Sequence, residues 1–181
     1  MSEHISALAQ WALGWRKDLK ALEQALDSDK AHAEIRRYAA AALNYVVSRM
    51  DLVPDWEPAV GLFDDLMVVR ICAAQGTSTA GGTDSLDDAT ATDWKRLAAQ
   101  ADGIRDFLGD DLFAKLRAYC DRQTGEAVRG RSPDHLIADP KARAQLFTEV
   151  EAAVSRAGEV SVPDASQAAV RLKAYLGHKL K

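Results

Sequence analysis

Apolar residues recur at alternating steps of three and four over the first 26 positions, and charged residues fill the gaps between them. These apolar positions are Ile5, Leu8, Ala12, Trp15, Leu19, Leu22 and Leu26. Because residues three and four apart lie on the same face of a helix, the spacing predicts one amphipathic helix of about six turns.

The helical period continues along the rest of the chain, and no segment alternates between apolar and polar residues with a period of two. Further helices are expected to begin after Ser28-Asp29, at Leu62, at Ser85, after Gly109-Asp110, at Asp139-Pro140 and near Pro163. The helix that follows Ser28-Asp29, the second of the chain, is expected to reach about Met50. The pattern therefore predicts an all-α protein, a single bundle of about six to seven helices with little or no sheet.

A stretch of small residues divides the chain. Residues 76–85 read Gly-Thr-Ser-Thr-Ala-Gly-Gly-Thr-Asp-Ser, and this composition predicts a flexible connector. Ser85 followed by Asp88 resembles a capping box for the next helix. The connector separates an N-terminal helical part, residues 1–75, from a C-terminal part, residues 86–181. Because small helical cores are marginal alone, we expect the two parts to pack as one domain.

Composition narrows the class of protein without indicating an activity. The 181-residue chain is 48% hydrophobic and 28% charged with a net charge of −4, which is typical of a globular protein and gives no positive field for nucleic acid. There is no signal-peptide pattern and no apolar run long enough for direct membrane insertion, so a cytoplasmic protein is expected. Cys72 and Cys120 are expected to be reduced core residues.

The candidate chemistry lies in an acidic loop, where residues 51–65 contain five carboxylates: Asp51, Asp55, Glu57, Asp64 and Asp65. The structural interpretation is that these acids cap helix ends, fold the loop and pair with Arg36, Arg37, Arg49 or Arg70. The alternative is that Asp51, Asp55, Asp64 and Asp65 supply ligands to Mg²⁺, Ca²⁺ or Mn²⁺, which prefer oxygen ligands. Acid–base chemistry by paired carboxylates is a third hypothesis.

The same loop carries a family resemblance. The run Tyr45-Val-Val-Ser-Arg-Met-Asp51-Leu-Val-Pro54-Asp55, followed by Gly61-Leu-Phe-Asp64-Asp65, resembles the signature of the YkvA-type family of small bacterial domains of unknown function. The resemblance extends over about residues 35–72. Arg49-Met50 stands where such proteins often have Ser-Pro, and Trp56-Glu57 adds an acid. The resemblance implies a shared fold element and loop, and it implies no reaction.

These patterns favour a non-enzymatic protein-interaction or accessory module with a structural acidic loop. No cofactor is expected, and the expected partner is another protein or a second copy of the chain. Leu8, Trp11 and Trp15 on the first helix are the predicted partner-binding residues, since aromatic and apolar residues on one helix face suit a helix–helix contact. The alternative is a divalent-cation-dependent enzyme or sensor that uses the carboxylates of the acidic loop.

Overall fold

The computed structural model describes residues 2–48, 51–54, 57, 60–157 and 162–181. It is 74% helical and has no strand in the described residues, which confirms the all-α prediction. The helices are α1 (Ser2–Leu13), α2 (Trp15–Asp27), α3 (Ala33–Val46), α4 (Phe63–Thr77), α5 (Asp88–Ala99), α6 (Ala101–Leu108), α7 (Asp110–Gln123), α8 (Pro133–Ala138), α9 (Pro140–Arg156) and α10 (Ala165–Lys179).

The helices outnumber the six to seven expected, because two predicted helices are each divided and a short one is added. Gly14 separates α1 from α2, so the apolar seam of residues 5–26 runs across two helices. Gln100 separates α5 from α6. The added helix is α8, whose cap Ser132 accepts a hydrogen bond from the His135 amide. The second predicted helix begins later than expected, after His32, and α3 ends at Val46, whereas Met50 lies outside the described residues.

α4 lies at the centre of the bundle because apolar residues surround its axis from Leu66 to Ala73, with Arg70 as the one exception. Its fully buried residues are Leu66, Met67, Val68, Val69, Ile71, Cys72 and Ala73. The helix packs chiefly against α3 and α5, and the indole Nε1 of Trp94 on α5 donates a 2.9 Å hydrogen bond to the carbonyl of Ala73. Buried residues from both sides of residues 76–85 therefore belong to one hydrophobic cluster.

The segment predicted to be a connector is hydrogen-bonded along its length. Gly76 and Thr77 extend α4, and the residues that follow form consecutive turns in which Thr83 is buried. Ser85 Oγ accepts a 2.9 Å hydrogen bond from the backbone amide of His32. The expected Ser85 cap is wrong, because α5 is capped by Asp87, whose carboxylate accepts hydrogen bonds from the amides of Ala89 and Thr90.

Two local features complete the fold. Cys72 and Cys120 are buried free thiols, as expected, and their side chains lie against each other; burial and this contact raise the pKa of the Cys120 thiol. An isolated bridge joins Val128 to Arg131 around a tight turn in which Arg129 has a positive φ of 51°.

None of the described helices is both long and apolar enough to cross a bilayer.

Candidate functional site

The acidic loop is fastened to the bundle by a hydrogen bond between Tyr45 and Asp64. Tyr45 lies in the last turn of α3 and Asp64 in the first turn of α4, so the two side chains face each other across the helix hairpin. The Tyr45 hydroxyl donates to Oδ2 of Asp64 over 2.5 Å. Both side chains are 1% exposed, so this polar contact is shielded from water.

Two backbone amides of the loop complete this contact. The amide of Leu52 donates to the Tyr45 hydroxyl over 2.8 Å, and the amide of Val53 donates to Oδ2 of Asp64 over 2.9 Å. Tyr45 thus uses its hydroxyl both as a donor and as an acceptor. We call these four residues, Tyr45, Leu52, Val53 and Asp64, the clasp. They give buried polar groups partners that water would otherwise supply.

The electrostatics of the clasp are dominated by burial. Loss of water raises the pKa of Asp64 from its ordinary 3.8 to about 6, although the bonds from Tyr45 and the Val53 amide oppose this shift. Amides of Asp64 and Asp65 at the start of α4 also favour the charged carboxylate. Burial, followed by the charges of Asp64 and Asp65, raises the pKa of Tyr45 well above its ordinary value. The tyrosine is therefore a neutral hydrogen-bond donor at physiological pH.

The structure gathers three of the four predicted ligand residues around a pair of tyrosines. Tyr119 of α7 packs edge-on against Tyr45, with ring centroids 6.0 Å apart. Burial raises the pKa of Tyr119, and the negative charges of Asp64 and Asp51 add to that effect. Asp65 is buried in the first turn of α4 and acts electrostatically on Tyr45. Asp55, the fourth predicted ligand, lies outside the described residues.

The described part of the loop provides few free ligand atoms for a metal ion. In the described ranges, no group of three or more His, Cys, Asp or Glu side chains is placed to hold a cation. Oδ2 of Asp64 already accepts two hydrogen bonds, whereas Oδ1 of Asp64 has no hydrogen-bond partner among the residues described.

The arginines expected to neutralise the loop have other partners. Arg70 donates to Asp18 over 2.8 Å, to Gln100 over 2.7 Å and to the carbonyl of Leu66 over 3.0 Å. Its guanidinium also lies 4.4 Å from the ring centroid of Trp11. Burial lowers the pKa of Arg70 to about 10, while the neighbouring Asp18 opposes that shift.

The other expected arginines lie elsewhere as well. Arg36 donates to the carbonyls of Leu26 and Ile137, and Arg37 pairs with Glu34 and Asp134. Arg49 lies outside the described residues.

The loop has a second attachment, to the C-terminal helix, that the sequence did not indicate. Glu57 Oε1 accepts a 2.7 Å hydrogen bond from the Tyr175 hydroxyl, and Glu57 Oε2 lies 3.6 Å from Nη1 of Arg171. Tyr175 and Arg171 are four residues apart on α10, so they share a helix face. The four-residue spacing of Arg171 and Tyr175 indicates that they share a helix face, but nothing in the sequence linked that face to Glu57.

The predicted partner-binding residues lie largely inside the bundle. Leu8 and Trp15 are 2% and 4% exposed and belong to the hydrophobic core. Trp11 is half-buried and packs against the same core. Among these three residues, Trp11 alone offers surface to a partner while α1 and α2 keep their positions.

Comparison with known sequences agrees with the family resemblance. Residues 36–70 match the sequence model of a family described as a protein of unknown function (DUF1232), and the YkvA-type resemblance is consistent with that match. The matched segment contains α3 from Arg36 onward, the acidic loop and the first half of α4, and so it includes the whole clasp. No curated protein and no solved structure matches the chain.

Proposed function

We propose that the chain is a non-enzymatic protein-interaction or accessory module in which the acidic loop is a structural element. The matched segment would supply a rigid helix hairpin, closed by the clasp, around which the other helices are arranged. Residues that a reaction would need to reach are instead used to hold the loop against α3 and α4.

One observation carries this proposal: a single oxygen of Asp64 joins both ends of the hairpin to the loop. Oδ2 of Asp64 receives the Tyr45 hydroxyl from α3 and the Val53 amide from the loop. A carboxylate that serves as a general acid or base needs access to a substrate, and Asp64 is 1% exposed. Its burial instead suits a role in fixing the loop.

The alternative, a cation-dependent enzyme or sensor, has one observation in its favour. Oδ1 of Asp64 is buried without a hydrogen-bond partner among the described residues, and a bound Mg²⁺ or Ca²⁺ would satisfy it. Asp51 acts electrostatically on Tyr119 and Asp65 on Tyr45, and these two acids would be the further ligands, together with Asp55.

A set of thermal melts separates these two functions. The wild type and the Asp64→Asn/Asp65→Asn variant are melted in EDTA and in excess Mg²⁺, Ca²⁺ or Mn²⁺. A cation at about 100 times its dissociation constant would stabilise the wild type by about 2.7 kcal/mol and raise its midpoint by several degrees. We expect no cation-specific rise, together with a lower midpoint for the variant in every buffer. A rise that the double variant abolishes would establish the cation site instead.

A further inference from the structure

The C-terminal helix α10 packs on the bundle as a separate amphipathic element. Its inward face consists of Ala168, Ala169, Leu172 and Leu176, and Leu180, directly after the helix, is buried as well. That face lies chiefly against α1 and, to a lesser extent, against α7. Helix α10 therefore covers a surface built by α1 and α7, and it does not form part of the central pair of α3 and α4.

The surface beneath α10 has the character of a helix-binding groove. An amphipathic helix that lies in an apolar groove is anchored by residues at intervals of three and four, and Ala169, Leu172 and Leu176 have this spacing. The groove residue Glu57 contacts Arg171 and Tyr175 at its edge. Nζ of Lys173 lies 4.8 Å from the ring centroid of Phe107 on α6, which adds a cation–π contact.

The ion pair between Arg171 and Glu57 contributes little to holding α10 in place. The side chains of Arg171 and Glu57 are 49% and 20% exposed, and ion pairs with this much solvent contribute little to stability. Eight residues, 157–164, separate α10 from α9, a length that can span at most about 26 Å. A connection of this length allows α10 to move off its groove while α9 keeps its position.

We propose that α10 is a detachable strap and that the groove it covers also accepts α10 from a second copy of the chain. The charges and the apolar spacing of α10 complement this groove, so a second copy presents a helix that already fits. Reciprocal exchange of an identical element recovers every contact that the monomer loses. This inference rests on the proposed function, because it supplies the partner and the surface of the interaction module.

Two single charge reversals test the exchange in the full-length chain. Glu57→Arg places like charges at the edge of the groove, and Arg171→Glu does the same in the opposite sign. Each variant alone therefore has a repulsive contact, whether α10 is in its own groove or in that of an identical copy. When the two variants are mixed, exchange between them restores two opposite-charge contacts at once.

The expected result is a heterodimer in the mixture. After incubation a few degrees below the melting midpoint, light scattering coupled to gel filtration should show about tenfold more dimer in the mixture than in either variant alone. A mixture of Glu57→Gln with Arg171→Gln is the matched control and should show no enrichment. The double variant Glu57→Arg/Arg171→Glu should behave as the wild type, because its own contact is again complementary.

Two results would overturn the inference. A mixture that stays as monomeric as its components after this incubation would show that α10 does not exchange. An equal fraction of dimer in the mixture and in each variant alone would show that the chains associate through another surface. That result would contradict the exchange of α10 but would still agree with an interaction module. The cation melts are independent of both results, so a failure of the proposed function can be distinguished from a failure of the exchange.

Discussion

The hydroxyl of Tyr45 donates a 2.5 Å hydrogen bond to Oδ2 of Asp64 and at the same time accepts one from the amide of Leu52. The two side chains are 19 residues apart in the sequence and join the end of α3 to the start of α4. Because the bond is buried, its partners cannot turn to water when one of them is lost. The consequences can be measured.

Removal of the Tyr45 hydroxyl should destabilise the chain. Tyr45→Phe leaves the Leu52 amide without its acceptor and deprives Asp64 of a donor, which should lower the free energy of unfolding by about 2–3 kcal/mol. Urea denaturation measures the loss. Tyr38→Phe is the matched control, since the Tyr38 hydroxyl donates to Asp121 at a more exposed site and should cost less. Equal losses in the two variants would argue against the clasp.

Stability should depend on pH through Asp64. The folded chain holds the proton of Asp64 up to about pH 6, whereas the unfolded chain releases it near 3.8. Because the folded state binds more protons in this window, the contribution of Asp64 rises as pH falls from about 6 to 4 and is lost as pH rises through 6. The full effect is at most about 3 kcal/mol.

The comparison with Asp64→Asn isolates this contribution, because every other titrating group is present in both proteins. The unfolding free energy of the wild type minus that of the variant should increase as the pH is lowered from 7 to 4. A difference that stays constant over that range would show that Asp64 titrates normally.

The buried ion pair between Asp18 and Arg70 should be costly to break from one side. Asp18→Ala leaves the Arg70 guanidinium buried without its carboxylate, and such a loss typically costs about 3–5 kcal/mol. The double variant Asp18→Leu/Arg70→Met removes both charges and should recover much of that loss. Chemical denaturation of the variants gives the comparison, and a double variant less stable than Asp18→Ala would contradict this reasoning.

A side chain at Gly81 would require the His32 ring to move. A Cβ at Gly81 would lie 2.3 Å from Nε2 of His32, and the backbone there has a φ of +87°. Gly81→Ala should therefore destabilise by more than Gly130→Ala, whose φ of +77° costs about 1 kcal/mol but whose surroundings are open.

His32→Ala should remove the excess cost of Gly81→Ala, because the obstructing ring is then absent. Thermal melts of the single and double variants measure this coupling. If Gly81→Ala costs no more than Gly130→Ala, the His32 ring moves aside without cost and this prediction is wrong.

The elements that the sequence predicted well are those with local signals. Asp139-Pro140 marks the start of α9 because the aspartate accepts the Lys141 amide and the proline suits the first helical position. The break at Gly14 was missed because the apolar seam continues through it with no change of period. Thus local capping chemistry gave the start of α9 correctly but not the starts expected at Ser28-Asp29 and Ser85, and apolar periodicity merged neighbouring helices.

The candidate site could be predicted only as a set of residues. The family signature contains both Tyr45 and Asp64, but their hydrogen bond depends on how α3 and α4 pack, which no local pattern encodes. The same limit applies to Arg70, whose partner Asp18 is 52 positions away. It applies also to Glu57, which meets α10 across 118 positions.

The side-chain carboxyl carbon of Asp64, followed by NMR across the pH range with and without Mg²⁺ or Ca²⁺, reports the role of the acidic loop most directly. Asp64→Asn identifies the resonance by its absence. If the loop is a clasp, the resonance titrates near pH 6 and the cations leave its midpoint unchanged. A midpoint that falls by about one unit or more when the cation is added would show that Asp64 is a metal ligand, and would contradict the structural role.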